Sequence, residues 1–258
     1  MTRKRFLLAL AAAALSGSLA AAPFTARLGG GDPSQAAPSK AEILISGRVT
    51  DFSGRPVEGA TVELKDDHFE NVASVLTGTD GRYKMKADRG RYMALAAVKD
   101  YQVKSLEFWA WNVLAETDLV IDARFDRLEV YAVNAWRPQG GYPSLMIYFR
   151  PMSFVKVVKR VTEAGGMEGL QKLPVIDIAP ELGEADIELT IDGKPAKILR
   201  IYKVKEATGP SQYMFGYLIQ TPLPEKKAGR DYALIDIALH DPSTGERGEG
   251  CLFFRWPY

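Results

Sequence analysis

Residues 45–64 read ISGRVTDFSGRPVEGATVEL, and this stretch decides the fold of the first half of the chain. Apolar and polar residues alternate at its end, through Ala60, Val62 and Leu64, which is typical of a strand with one buried face. Between the two ends, Gly54-Arg-Pro56 predicts a turn, because proline presets φ and glycine relaxes the backbone. The regularities of the stretch therefore concern folding rather than chemistry.

The same rhythm continues to residue 125. Asp80-Gly81 is a turn signal, because glycine tolerates the positive φ that a tight hairpin needs. Short strands at this spacing, without a strong helical period between them, predict an antiparallel sandwich. The strand-like segments are 43–50, 60–65, 82–86, 91–98 and 117–122.

The order and spacing of these signals resemble a known family. The pattern GxVxDxxGxPxxGAxV at residues 47–62, followed by TDGxY at 79–83 and GxY at 90–92, resembles the carboxypeptidase regulatory-like domain. The resemblance covers about residues 43–125 and implies a transthyretin-like sandwich. It also implies an accessory or structural module of exported and envelope proteins, with no activity of its own.

Residues 126–258 repeat the all-β rhythm but not the motif, and Asp192-Gly193 marks a hairpin turn. We predict two β-sandwich domains, the second resembling immunoglobulin-like (Ig-like) modules in strand rhythm alone, with a boundary between Phe125 and Asp126. An irregular insertion near residues 152–182 holds either a short helix at 167–172 or a long loop. The strand-like segments are 128–136, 144–149, 187–191, 196–203, 213–220, 232–240 and 250–255.

The first forty residues differ from the rest. Residues 2–5 are mostly basic, residues 6–15 are apolar, and Ser18-Leu-Ala20 fits signal peptidase, so residues 1–20 are predicted to be a secretory signal peptide cleaved after Ala20. An uncleaved anchor is the alternative. Residues 21–42, rich in Ala, Gly, Pro and Ser, are predicted to be a flexible linker. We therefore expect a periplasmic or secreted protein with no membrane span after cleavage.

The charge balance and the cysteine content limit the classes of partner and of covalent cross-link that we expect. The chain has 33 Lys and Arg against 32 Asp and Glu, and residues 1–20 hold three of the bases and no acid. Such a near-balance argues against a nucleic-acid partner. Cys251 is the only cysteine, so no intramolecular disulfide can form. The expected partner is an envelope protein or a glycan.

Catalytic and metal chemistry has little support in the sequence. His68 and His240 are the only histidines, and no HExxH, HxH or CxxC spacing occurs. His68 follows Asp66-Asp67, a trio that is either a cation-binding loop or a solvated turn. We predict no catalytic residue, no metal and no cofactor, although a hydrolase whose acids the sequence does not identify stays open.

Aromatic residues provide the candidate binding site. Trp109 and Trp111 alternate across Ala110, so on a strand both face the same side, and Asn112 and Trp136 are the further candidates. The indoles either pack between the domains or form an exposed platform for sugar rings. The preferred hypothesis is an exported, non-enzymatic β-sandwich protein acting as a binding or structural module of the bacterial cell envelope. The alternative is a carbohydrate-binding protein that uses the Trp109/Trp111 platform.

Overall fold

The computed structural model describes residues 41–256. The predicted signal peptide and all but the last two residues of the predicted linker lie outside this range, and Glu42 already begins the first strand. The protein is mostly β, with 55% strand and 8% helix, which confirms the predicted all-β character at this coarse level. The strands form three sheets.

The first part of the chain supplies strands to two of these sheets. In chain order the strands are β1 (Glu42–Thr50), β2 (Thr61–Lys65), β3 (Asn71–Leu76), β4 (Arg82–Asp88), β5 (Gly90–Val98), β6 (Phe108–Ala115), β7 (Leu119–Val120) and β8 (Ala123–Arg124). A small sheet has the order β4-β1-β7, and β8 also pairs with β1. The predicted strand at 117–122 is thus replaced by two short parallel partners of β1.

The second part of the chain supplies the remaining elements. These are β9 (Leu128–Trp136), β10 (Ser144–Ser153), α1 (Phe154–Glu163), α2 (Met167–Gln171), β11 (Val175–Ile176), a 3-10 turn (Glu184–Asp186), β12 (Ile187–Ile191), β13 (Lys194–Pro195), β14 (Arg200–Gly209), β15 (Gln212–Pro222), β16 (Tyr232–His240) and β17 (Arg247–Arg255). A five-stranded sheet has the order β11-β15-β10-β9, and β14 also pairs with β15.

The third sheet joins the two parts of the chain. Its eight strands run β13-β12-β16-β17-β6-β5-β2-β3, and β17 lies parallel to β6 with Cys251 opposite Ala110. The sequence analysis predicted two separate β-sandwich domains with a boundary between Phe125 and Asp126. In the structure the two sides share this sheet, because the last strand of the chain pairs with β6.

Two hydrophobic cores cover opposite faces of the shared sheet. Side chains alternate along β17, so Leu252 and Phe254 enter one core while Cys251 and Phe253 enter the other. The first core is packed mainly by the five-stranded sheet, and the second by the small sheet. The eight-stranded sheet is therefore the middle layer of three.

Two residues of the family-like motif meet at one backbone carbonyl. A Cβ on Gly47 would lie 1.9 Å from the carbonyl oxygen of Ile121, so only glycine lets β1 pass this close. The Tyr83 hydroxyl donates a hydrogen bond to the same oxygen over 2.7 Å. The glycine and the tyrosine of the motif therefore fix how the small sheet closes.

The region near residues 152–182 is more regular than predicted. The short helix expected at 167–172 is α2, but α1 was not predicted. Phe154, Val157 and Val161 of α1 pack against the first core, and the Ser153 side chain accepts a hydrogen bond from the Lys156 amide as the N-cap. Among the described residues, no helix is long and apolar enough to cross a membrane.

A candidate ligand groove beside the buried tryptophans

Trp109 and Trp111 lie in the first core, not on the surface. Both side chains lie on the face of β6 that is turned toward β9, and they are only 2% and 7% exposed. The two rings stack with centroids 5.2 Å apart, and Tyr131 of β9 meets both edge-on. The hypothesis of an exposed Trp109/Trp111 platform is therefore wrong, because the second part of the chain covers this face. The other alternative, packing between the two parts, describes what the structure contains.

The loop between β2 and β3 also covers the indoles. Phe69, with φ of 66°, stacks on Trp109 at 5.6 Å and on Trp111 at 6.3 Å. Asp66 holds this loop, because its Oδ1 accepts hydrogen bonds from the amides of His68 and Glu70. Asp66 of the suspected cation-binding trio therefore has a structural role. Within residues 41–256, no group of three or more His, Cys, Asp or Glu could hold a metal ion.

A buried acidic residue lies against the tryptophans. Glu129 is fully buried, and Trp109 Nε1 donates a hydrogen bond to its Oε1 over 2.9 Å. Burial raises the pKa of Glu129 well above its ordinary value, and the nearby Glu107 raises it further. Burial also raises the pKa of Glu107, to about 7. The sequence reasoning missed Glu129, although a single acid inside the apolar strand LEVYAV was an available signal.

Several polar atoms around this acid lack hydrogen-bond partners. They are Glu129 Oε2, Tyr131 Oη and Trp111 Nε1, and no partner exists for them in the described part of the chain. An unpaired buried polar atom costs about 1–3 kcal/mol. Neutralising Glu129 by protonation reduces this cost, which is consistent with the direction of its pKa.

A groove of about 340 Å³ opens where strands β5, β6, β9 and β17 meet. We call it the seam groove, because both parts of the chain contribute to it. Asn112, one of the predicted site residues, lies in its lining with φ of 53°, a left-handed conformation within a strand. The lining residues are Asp67, Arg91, Tyr92, Met93, Asn112, Leu114, Asn134, Ala135, Leu252, Phe253, Phe254 and Arg255.

Trp136 stands next to the seam groove rather than in its lining. It follows Ala135 on β9, and its side chain is 46% exposed. The structure thus separates the four predicted site residues. Asn112 lines the groove, Trp136 lies beside it on the surface, and Trp109 and Trp111 are buried below.

The seam groove presents hydrogen-bonding groups that the protein itself does not use. Within residues 41–256, the side chains of Asp67, Arg91 and Asn112 have no hydrogen-bond or ion-pair partner. Asn134 accepts a hydrogen bond from the Ala135 amide, which leaves its side-chain NH₂ group to donate. Donors and an acceptor beside apolar residues such as Met93 are the usual composition of a small-molecule site.

The protein is mostly β, and the seam groove lies where the two parts of its chain meet. Comparison with family models then assigns the first part. Residues 44–116 match the carboxypeptidase regulatory-like domain. The chain therefore carries such a domain there, which confirms the predicted resemblance over a slightly shorter range than 43–125. A search among curated proteins gives no match.

Three solved structures show distant similarity to the chain. A DUF3823 family protein from Bacteroides ovatus is 11% identical over 83% of this chain and 99% of its own, with a TM-score of 0.24. BcpA, the major pilin subunit of Bacillus cereus, is 10% identical over 82% of this chain and 67% of its own, with a TM-score of 0.28. A candidate carbohydrate-binding protein from Bacteroides uniformis is 10% identical over 85% of this chain and 100% of its own, with a TM-score of 0.28. At these TM-scores the similarity carries no argument about function.

Proposed function

We propose that the protein is an exported, non-enzymatic binding module of the bacterial cell envelope, and that it holds its ligand in the seam groove. The unpaired side chains of Asp67, Arg91 and Asn112 carry this proposal. These side chains are exposed and gathered in a concavity without partners in the described protein, so they are free to bind a ligand. The shared sheet supports a binding role, because it holds the lining residues of β5, β6 and β17 on one layer.

The buried acids support a non-enzymatic role. Glu107 and Glu129 have the raised pKa values that a general acid needs, but neither lines the seam groove. Cys251 is also buried, and burial raises the pKa of its thiol, so the reactive thiolate is disfavoured. Glu107, Glu129 and Cys251 are therefore kept away from a ligand in the seam groove.

Export is testable on the full-length chain. Expressed in a Gram-negative host, the protein is expected in the periplasm or the medium, with an intact mass that corresponds to cleavage after Ala20. Replacing Leu7 and Leu8 with arginine is expected to leave the full-length mass in the cytoplasm, because the apolar run is interrupted. An unprocessed, cytoplasmic parent protein would contradict the proposal.

We propose carbohydrate binding in the seam groove as the second candidate function. The mixture of amide, guanidinium and carboxylate side chains beside exposed Trp136 favours it, since sugars need both hydrogen bonds and an apolar face. Calorimetric titration with a panel of soluble polysaccharides is expected to find a ligand. Asn112→Gly, which removes the side chain and tolerates the positive φ, is expected to weaken that binding about tenfold.

The matched control is Tyr202→Ala, an exposed aromatic position on β14 outside the seam groove. It is expected to leave the affinity unchanged. The carbohydrate proposal fails if the titrations show no heat of binding for any polysaccharide, or if Asn112→Gly binds as tightly as the parent.

A further inference from the structure

We propose a second binding site, a groove rich in lysine at the end of the eight-stranded sheet, whose ligand is an acidic polysaccharide. The site goes beyond the proposed function, because it shares no residue with the seam groove. It has a volume of about 420 Å³ and lies between the β12–β13 hairpin and the segment that follows β15. We call it the lysine groove, and its lining contains Lys194, Lys197, Lys226 and Lys227.

The lining of this groove carries more positive than negative charge. Lys194, Lys197 and Lys226 have no ion-pair or hydrogen-bond partner within residues 41–256. The groove also contains two acids: the Asp192 carboxylate is engaged by Lys227 at 3.8 Å and by Arg230 at 3.0 Å, whereas Glu225 has no partner in the described structure, so the lining lysines outnumber the lining acids by four to two. A chain with nearly equal numbers of acids and bases thus concentrates free cations at one place.

A buried hydroxyl gives an independent indication of a ligand. Thr221 is fully buried and borders the lysine groove, and its Oγ1 has no hydrogen-bond partner in the described structure. Leaving such a group unpaired costs free energy that a valine of the same shape would not cost. A ligand oxygen resting on the groove at this point would provide the missing partner.

The apolar residues of the groove favour a sugar chain. The rings of Pro195, Pro222 and Pro224 line it together with Leu223, and they offer rigid C–H surfaces against which pyranose rings can pack. The cations are lysines, which act as point charges and do not impose the planar geometry of an arginine fork. Charges spaced along a flexible acidic polysaccharide suit such an arrangement.

Two other anionic partners fit less well. Stable attachment to a membrane surface combines cations with protruding apolar anchors, but Leu223 is half-buried, and none of the exposed large hydrophobic side chains of the described residues lines this groove. Single-stranded nucleic acid is usually held by aromatic rings on which its bases stack, and the lysine groove has no aromatic residue. The observations therefore favour the polysaccharide.

The test measures the binding of polygalacturonate fragments to the full mature chain, with uncharged dextran of equal length as a second probe. The parent is expected to bind polygalacturonate but not dextran, with an affinity that falls as salt is added. The double variant Lys194→Glu/Lys226→Glu is expected to lose at least about tenfold in affinity. Thr221→Val is expected to weaken binding about fivefold, through the loss of one hydrogen bond.

Matched variants separate the site from general charge and from the seam groove. Lys84→Glu/Lys172→Glu makes the same charge change at two other exposed lysines and is expected to alter affinity less than about twofold. Asn112→Gly is expected to leave polygalacturonate binding intact, so failure at one groove does not imply failure at the other. Thermal melting verifies that each variant is folded.

Several outcomes would overturn the proposal. These are an absence of polygalacturonate binding, equal binding of dextran, or equal losses in the two lysine double variants. Tighter binding to vesicles of anionic phospholipid or to duplex DNA than to polygalacturonate would assign the groove to those partners instead.

Discussion

Replacing Glu246 with alanine is expected to lower the free energy of unfolding by about 3 kcal/mol, because a buried, fully used carboxylate is removed. Glu246 is completely buried between the 241–246 turn and the start of α1. Its Oε1 accepts a hydrogen bond from the Val155 amide over 2.9 Å, and its Oε2 accepts from the hydroxyls of Ser153 and Thr244. A negative charge here also stabilises the N-terminal end of the helix dipole.

Urea unfolding of the parent and the variant measures this effect. Glu225→Ala, at an exposed glutamate without a partner in the described structure, is the control and is expected to change stability by less than about 0.5 kcal/mol. Glu246→Gln is expected to lose less stability than Glu246→Ala and more than Glu225→Ala. It keeps an acceptor for the Val155 amide but loses the charge. A loss below about 1 kcal/mol for Glu246→Ala would contradict the assigned role.

Helix α1 illustrates why the sequence did not predict this region. The segment FVKVVKRVTE has apolar residues at helical spacing, but its four valines are typical strand formers. The acid that caps it comes from a turn 91 residues later along the chain. Local propensity favoured a strand or a loop, and the deciding contact was absent from the local sequence.

The shared sheet shows the same limit on a larger scale. Alternation within β1, β4 and β16 predicts each strand, because each strand carries its own pattern of buried positions. The parallel pairing of β17 with β6 joins residues about 140 positions apart, and neither strand encodes that partner locally. The sequence therefore predicted two separate sandwiches, whereas the chain forms three layers with the shared sheet in the middle.

The candidate site was predictable only in part, for the same reason. Asn112 was found because it follows the conspicuous Trp109 and Trp111 in the sequence, and it lines the seam groove. Arg91 and Asp67 were not found, because other elements bring them to the groove. Alternation correctly placed both tryptophans on one side of β6, but whether that side is covered depends on β9.

The second large effect is a pH dependence that comes from the acids beside the tryptophans. Unfolding is expected to become easier as the pH rises from about 5 to about 8. Burial raises the pKa of Glu129 well above its ordinary value of 4.5, and that of Glu107 to about 7. The folded protein therefore holds protons that the unfolded chain releases. An acid with a raised pKa in the folded state contributes its full stability below the unfolded pKa and loses it as the pH climbs through the folded pKa.

Glu129→Gln separates this effect from the rest of the protein. The amide oxygen can still accept the hydrogen bond from Trp109 Nε1, but the site no longer needs a proton to be neutral. Urea unfolding at pH 5, 6.5 and 8 is expected to show a flatter pH profile for the variant and a higher stability than the parent at pH 8. Glu225→Gln, at an exposed acid, is the control and should keep the parent profile. Parent stability that rises across this range, or a Glu129→Gln profile as steep as the parent's, would contradict the assignment of this pH dependence to Glu129.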